Sequence, residues 1–196
     1  MATIGEALGY PFGRWRGLLY WMCIIIPIAG LLAWYGYGLR VMKSVMDGDD
    51  DEVPEFGSLW DNIVLGFYSM CIGSVTGGIM GSFNIILANS DLEIPLIVMY
   101  CLSVIYLLLL TPIMTLQLAE TGSLAKALNI VRANKILFGN FGKYLVVVLK
   151  VIVVYVIWIM ASIPLLSLPI TLPAMVYSTS FLWGQFYYDI DDKPDY

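Results

Sequence analysis

The amino-acid sequence predicts an all-α integral membrane protein: a polytopic bundle of four to five transmembrane helices with amphipathic helices at the membrane interface. Hydrophobic residues make up 60% of its 196 residues and charged residues 13%. Soluble domains are about 45–50% apolar and about 25% charged, so a water-soluble fold of this size could not bury so many apolar residues. The apolar runs are continuous and about 20 residues long, which fits transmembrane helices. Strands of a membrane barrel would instead alternate apolar and polar residues.

The N-terminal part contains an interfacial segment, residues 1–16, and a first hydrophobic element, residues 18–39. This element is long enough for one membrane span, and Pro27 within it also permits a shallow re-entrant hairpin. A single span would place the N-terminal arginines outside the cell, against the positive-inside rule, whereas a hairpin would keep them inside. Both alternatives stay open. An acidic loop and interfacial segment follows at residues 47–62.

Two hydrophobic helical hairpins are predicted next, over residues 63–118 and 144–188. The stretch between them, residues 119–143, is basic and has apolar residues at helical spacing, as is typical of an amphipathic helix at the membrane surface. Basic segments next to membrane spans stay in the cytoplasm, so this helix is predicted to be cytoplasmic. The hairpin 144–188 returns the chain to the same side, which predicts that the C-terminal tail, residues 189–196, is cytoplasmic as well. All these elements form a single predicted transmembrane domain, residues 1–196.

A small residue occurs at every fourth position along the first helix of the hairpin 63–118: Ser69, Gly73, Gly77 and Gly81. Residues with this spacing lie on one face of a helix and allow two helix backbones to approach closely, which is a main source of helix association in lipid. We favour packing of this face against another helix of the same chain. Association between protomers is the alternative.

Aromatic residues flank the hydrophobic runs, where they are typical anchors at the boundary between lipid and water. The predicted interfacial anchors are Trp15, Phe56, Trp60, Tyr144 and Trp183.

Little in the sequence favours catalysis or cofactor binding. There is no histidine, which is the commonest general base and metal ligand, and motifs of hydrolases or phosphate-binding loops are missing. The acidic run from Asp47 to Glu55 departs from the EF-hand pattern, because its glycine is second rather than sixth. The net charge is −5 without a basic stripe, which disfavours nucleic acid as a partner. We therefore predict a non-enzymatic protein with no cofactor and no metal site.

Several short motifs resemble a family of archaeal and some bacterial multi-pass membrane proteins known only as a domain of unknown function, the 4013 type. They are Tyr10-Pro-Phe-Gly-Arg-Trp, Gly36-Tyr-Gly-Leu-Arg-Val-Met, Met46-Asp-Gly-Asp-Asp, Pro54-Glu-Phe, Leu59-Trp-Asp-Asn and, near the C-terminus, Leu182-Trp-Gly-Gln-Phe-Tyr. The resemblance implies a prokaryotic cell membrane and a helical fold with four to six hydrophobic elements. It implies no catalytic or binding residues.

The leading functional hypothesis is a scaffold or accessory subunit of a membrane assembly. Such a protein would associate in the lipid bilayer with a second copy of the chain or with other membrane proteins. The face of small residues motivates this hypothesis. The alternative is a small channel or transporter for an uncharged or lipid-like solute, because Pro27, Pro112 and Pro164 could break helices near a binding site.

Overall fold

A computed structural model of the protein describes residues 2–12, 29–49, 54–88, 94–164 and 168–190. These residues form eight helices and no strand, so the predicted all-α fold class is confirmed for the described part of the chain. In chain order the helices are α1 (Ile4–Gly9), α2 (Ala29–Met46), α3 (Leu59–Ala88), α4 (Ile94–Thr121), α5 (Leu124–Ala127), α6 (Ile130–Gly139), α7 (Phe141–Ala161) and α8 (Leu168–Ile190).

Three helices of the described chain are long and apolar enough to cross a membrane. The qualifying stretches are Leu59–Ile79 in α3, Tyr100–Thr121 in α4 and Phe141–Ala161 in α7. They fall where the sequence predicts its two hydrophobic hairpins, which supports a membrane protein. The count of four to five spans and the cytoplasmic side of the C-terminus stay predictions.

Helix α2 differs from the predicted first hydrophobic element, because it continues past residue 39 to Met46. Val41, Val45 and Met46 are buried and extend the apolar face of the helix through this part. The apolar periodicity therefore continues beyond Arg40, where the charge alone predicts an end. The choice between a single span and a re-entrant hairpin depends on residues 18–28, which lie outside the described ranges.

The chain divides into two compact units. The terminal unit combines Met1–Phe67 with Asn140–Tyr196, and the central unit is Tyr68–Gly139. The division falls inside α3. The single transmembrane domain proposed from the sequence stays a prediction.

Helix α8 is the centre of the terminal unit, where it packs against α1, α2 and α7. A hydroxyl group of α8 forms a hydrogen bond with α7: the indole Nε1 of Trp158 donates to Ser178 Oγ at 3.2 Å. Near the turn between these helices, Ser162 Oγ donates to Thr171 Oγ1 at 2.8 Å. Hydrogen bonds of this kind hold helices together in lipid, where no water competes for the groups. They let α8 bury polar residues such as Ser178 completely.

The prolines of the hydrophobic runs have different structural positions. Pro164 lies in a bend after the end of α7, whereas Pro173 lies inside α8. Pro112 likewise lies inside α4, which continues through it to Thr121. Neither of these two prolines ends its helix, and Pro27 is outside the described residues.

Helix α1 begins with a capping box, in which Thr3 and Glu6 each bond the backbone N–H of the other. Such a box satisfies backbone donors that have no partner within the helix. The ring of Tyr10, just after α1, lies 4.6 Å from the ring of Phe181. Lys150 Nζ donates to the carbonyl of Ala2 from the middle of α7. Within the described part of the predicted interfacial segment, α1 is thus attached to α7 and α8.

In the central unit, the polar stretch predicted as one amphipathic helix is divided. Helix α4 extends to Thr121, and Gly122 then adopts a left-handed backbone conformation with φ of 64°, which glycine adopts without steric cost. The short helix α5 and the longer α6 follow. Both contact α4, so these residues fold into a compact cap and do not form one continuous helix.

Gln117 organises this cap. Its side chain is completely buried. In the amide orientation that suits its neighbours, its nitrogen donates to the carbonyls of Lys126 and Ala127 and its oxygen accepts from the N–H of Ala133, at 3.2, 3.1 and 2.9 Å. One side chain on α4 therefore satisfies the end of α5 and the first turn of α6. The cap depends on this residue because unpaired backbone groups in a buried site are costly.

Two further contacts fix α6 on α4. Arg132 forms an ion pair with Glu120 at 2.8 Å, and Tyr106 Oη donates to Asn134 Oδ1 at 2.7 Å. Gln117 on α4 accepts from the N–H of Ala133 between these two contacts. The partners of three successive residues of α6 therefore move back along α4, from Glu120 through Gln117 to Tyr106. Helix α6 therefore folds back alongside α4.

Candidate functional site on helix α3

The face of small residues predicted from the sequence lies on the part of α3 that belongs to the central unit. A Cβ atom built at Gly73, Gly77 or Gly81 meets no atom of the described residues within 4 Å. Ser69, at the beginning of this series, is half-buried. Beyond Ser69, the face is therefore open in the described structure, and no helix of the described central unit covers its glycines.

The open face is wider than the series of four small residues predicts. Ser74, Gly78 and Ser82 are also exposed and follow Gly73, Gly77 and Gly81 directly. The signal for them was present in the sequence, as three adjacent pairs of small residues spaced by four positions. We call the six residues from these pairs the small-residue face: Gly73, Ser74, Gly77, Gly78, Gly81 and Ser82.

Hydroxyl groups in and beside the small-residue face bond to the backbone of their own helix. Ser82 Oγ donates to the carbonyl of Gly78 at 2.9 Å. Thr76 Oγ1 is placed to donate to the carbonyl of Ile72 or Gly73, at 3.1 and 3.0 Å. The protons of these two hydroxyl groups are used within the helix, so the backbone beside them is available for van der Waals contact and weak Cα–H···O bonds.

A close helix crossing does occur in the terminal unit, at glycines outside the predicted series. A Cβ atom built at Gly36 on α2 would overlap the carbonyl oxygen of Asn62 on α3, and one built at Gly66 would overlap the carbonyl oxygen of Leu32. The two helices are therefore antiparallel here and their backbones touch. Only hydrogen side chains leave room for this contact.

Two more glycines of the resemblance motifs allow close packing in the terminal unit. A Cβ atom at Gly38 would lie 2.9 Å from Cγ1 of Val176, and one at Gly184 would lie 2.8 Å from the carbonyl oxygen of Met42. The motif glycines thus hold α2 close to α8. In the sequence these glycines are distinguished only by the motifs that carry the resemblance, and no local pattern indicates their role.

Other motif residues hold the loop between α2 and α3. Tyr37 is completely buried and its hydroxyl donates to the carbonyl of Pro54 at 2.9 Å. The amide of Asn62 donates to the carbonyl of Phe56 at 2.7 Å. Arg40 forms an ion pair with Asp61 at 3.5 Å. The motifs that carry the resemblance are therefore neighbours in the fold, and they shape the return of the chain from α2 into α3.

The predicted interfacial anchors have unequal positions. Trp60 is 68% exposed and Phe56 is half-buried against the ring of Tyr37. Tyr144 is buried inside the terminal unit, where its ring centroid lies 5.5 Å from that of Trp183. Trp15 lies outside the described residues. Exposure thus suits Trp60 to an interfacial position, and the anchor role stays a prediction for the set.

No three acidic, cysteine or histidine side chains of the described chain come together as a metal site. Residues 50–53 of the acidic run lie outside the described ranges. Cys71 and Cys101 form no disulfide in the described structure. Cys23 falls within residues that are not described.

Comparison with known proteins supports the resemblance seen in the short motifs. Residues 19–169 match a protein family described as Protein of unknown function (DUF4013). Neither the curated proteins nor the solved structures compared with the chain include a match. The matched range includes the glycine crossing of α2 and α3 and the small-residue face. Because it covers most of the 196 residues, the chain belongs to the DUF4013 family.

Proposed function

We propose that this protein is a non-enzymatic scaffold or accessory subunit that assembles with membrane-embedded partners through the small-residue face of α3. The observation that carries the proposal is the open surface at Gly73, Gly77 and Gly81, where no described atom lies within 4 Å of a built Cβ. Small residues at this spacing lower the apolar area and the helix propensity of a membrane helix. Close approach of another helix offsets these losses, because the two backbones then gain contact.

The glycine crossing of α2 and α3 supports this proposal by comparison. Gly36 and Gly66 show that this chain uses glycine where two backbones touch. The glycines of the small-residue face lie in the same helix as Gly66. The space beside them, where a Cβ atom would lie, is open in the described structure. A second copy of the chain, or another membrane protein with a complementary helix, fits this surface.

The proposal predicts that Gly77→Leu weakens association about tenfold, which is the effect of about 1.4 kcal/mol. A leucine in the middle of the face would hold the partner helix away from the backbone of α3. The measurement is native mass spectrometry of the full chain, extracted gently from its own membrane, with the fraction of assembled protein compared between variant and wild type.

Ile79→Leu is the matched control, because Ile79 is exposed on α3 at 41% and helical spacing places it on the side away from Gly77 and Gly81. It adds a leucine to the same helix and should leave assembly unchanged. Wild-type protein that is strictly monomeric and without partners in native nanodiscs would contradict the proposal. So would equal losses of assembly in the two variants.

A further inference from the structure

We propose that the outward side of α6 is a binding surface for anionic phospholipid headgroups. In this surface Lys135 contacts the lipid phosphate, and Val131 and Phe138 lie against the glycerol and upper acyl chains. The proposal concerns a different helix from the assembly face and does not depend on the function proposed above.

Helix α6 has one buried side and one exposed side. Ala133 and Leu137 are buried, and α6 packs on α4. Val131 is 80% exposed and Phe138 is 65% exposed. Lys135 is exposed as well, and the spacing of four and three positions places it between these two residues in a single stripe. We call Val131, Lys135 and Phe138 the outward stripe.

The position of α6 along the chain explains why its apolar residues face outward. Helix α4 contains the stretch Tyr100–Thr121, which is apolar enough to cross a membrane. The ion pair between Glu120 and Arg132 and the hydrogen bonds of Gln117 hold α6 beside the end of this stretch. A surface at the end of a membrane span meets the boundary between acyl chains and headgroups. There, exposed valine and phenylalanine side chains gain lipid contact.

The charge of this segment favours anionic lipid over other occupants. The whole chain has a net charge of −5, yet α5 and α6 carry Lys126, Arg132 and Lys135 and no acidic residue. Arg132 is neutralised by Glu120, while no ion pair joins Lys126 or Lys135 to another residue of the described chain. A lysine flanked by apolar residues can place its stem in the apolar layer and its ammonium group at phosphate level.

The test uses the full-length protein in mild detergent, mixed with equal amounts of phosphatidylglycerol and phosphatidylcholine. Native mass spectrometry then counts the bound lipids of each kind. Wild-type protein is expected to retain phosphatidylglycerol preferentially, and Lys135→Gln is expected to lower this preference about fivefold, since one basic residue near an anionic surface contributes about that factor.

Lys43→Gln is the matched control, because Lys43 is an exposed lysine on α2 in the terminal unit. It removes the same charge and should leave the lipid preference unchanged. The double variant Val131→Ser, Phe138→Ser should reduce retention of both lipids while the helix content by circular dichroism stays constant. The proposal is overturned if wild-type protein shows no preference for phosphatidylglycerol, if Lys135→Gln keeps it, or if Lys43→Gln loses it equally.

Discussion

Gly36→Ala is expected to lower the free energy of unfolding of the protein by about 3 kcal/mol, at the upper end of the usual cost of overpacking. The added methyl group would overlap the carbonyl oxygen of Asn62 on α3. That atom belongs to the backbone of a helix, so it has no alternative rotamer to adopt. The helices α2 and α3 must separate, and the contact between Gly66 and Leu32 in the same crossing is then lost as well.

Unfolding in mild detergent, followed by tryptophan fluorescence during denaturant titration, measures this loss. Gly73→Ala, measured like Gly36→Ala on the unassembled chain, is the control within α3, because a Cβ at Gly73 meets no described atom of this chain within 4 Å. Alanine is the better helix former by about 1 kcal/mol, so this variant should be as stable as wild type or slightly more stable. A Gly36→Ala variant with wild-type stability would show that the backbones do not touch at this crossing.

The contrast between these glycines shows what sequence reasoning can recover. The pattern at Gly73, Gly77 and Gly81 predicts a face on which helices can approach closely. It does not specify the partner, because van der Waals packing in lipid depends on shape and has no complementary residue type to recognise. Gly36 and Gly66 belong to helices that meet only in the folded chain, so no local spacing distinguishes them from other glycines.

The membrane helices were predictable for a simple physical reason. Long apolar runs must cross or line the bilayer, and the runs in α3, α4 and α7 meet the length that this requires. Hydropathy does not tell which apolar side chain faces lipid and which faces protein, since both surroundings are apolar. Tyr144 was therefore expected among the interfacial anchors, although the structure buries it against Trp183.

The central position of α8 was equally hidden from the sequence. Its serines and threonines lower its apolar character, and their importance depends on partners in other helices, such as Trp158 for Ser178. The same holds for Gln117, which the sequence marks only as a polar residue near the end of a hydrophobic run. Its three backbone partners lie beyond a turn at Gly122, and no periodicity predicts that turn geometry.

Gln117→Leu is therefore expected to destabilise the cap formed by α5 and α6 by about 3 kcal/mol. The change conserves side-chain volume, but it removes the hydrogen bonds to the carbonyls of Lys126 and Ala127 and to the N–H of Ala133. A buried backbone group that loses its partner costs about 1–3 kcal/mol. The N–H of Ala133 also bonds to the carbonyl of Asn129 at 3.0 Å, and the carbonyl of Lys126 also accepts from the N–H of Asn129 at 3.2 Å. Only the carbonyl of Ala127 loses its partner fully, so the total stays well below the sum of three full losses.

Hydrogen exchange of the full chain in nanodiscs locates this effect. Amides of residues 124–139 should exchange about a hundredfold faster in the variant, because about 1.4 kcal/mol corresponds to a factor of ten in the opening equilibrium. Thr115→Val is the control: Thr115 Oγ1 bonds only to the carbonyl of Thr111 in its own helix among the described hydrogen bonds, at 3.0 Å. The loss of this hydrogen bond should leave amide exchange in α5 and α6 unchanged. Wild-type exchange in Gln117→Leu would mean that packing of Ala133 and Leu137 on α4 holds the cap without the buried amide.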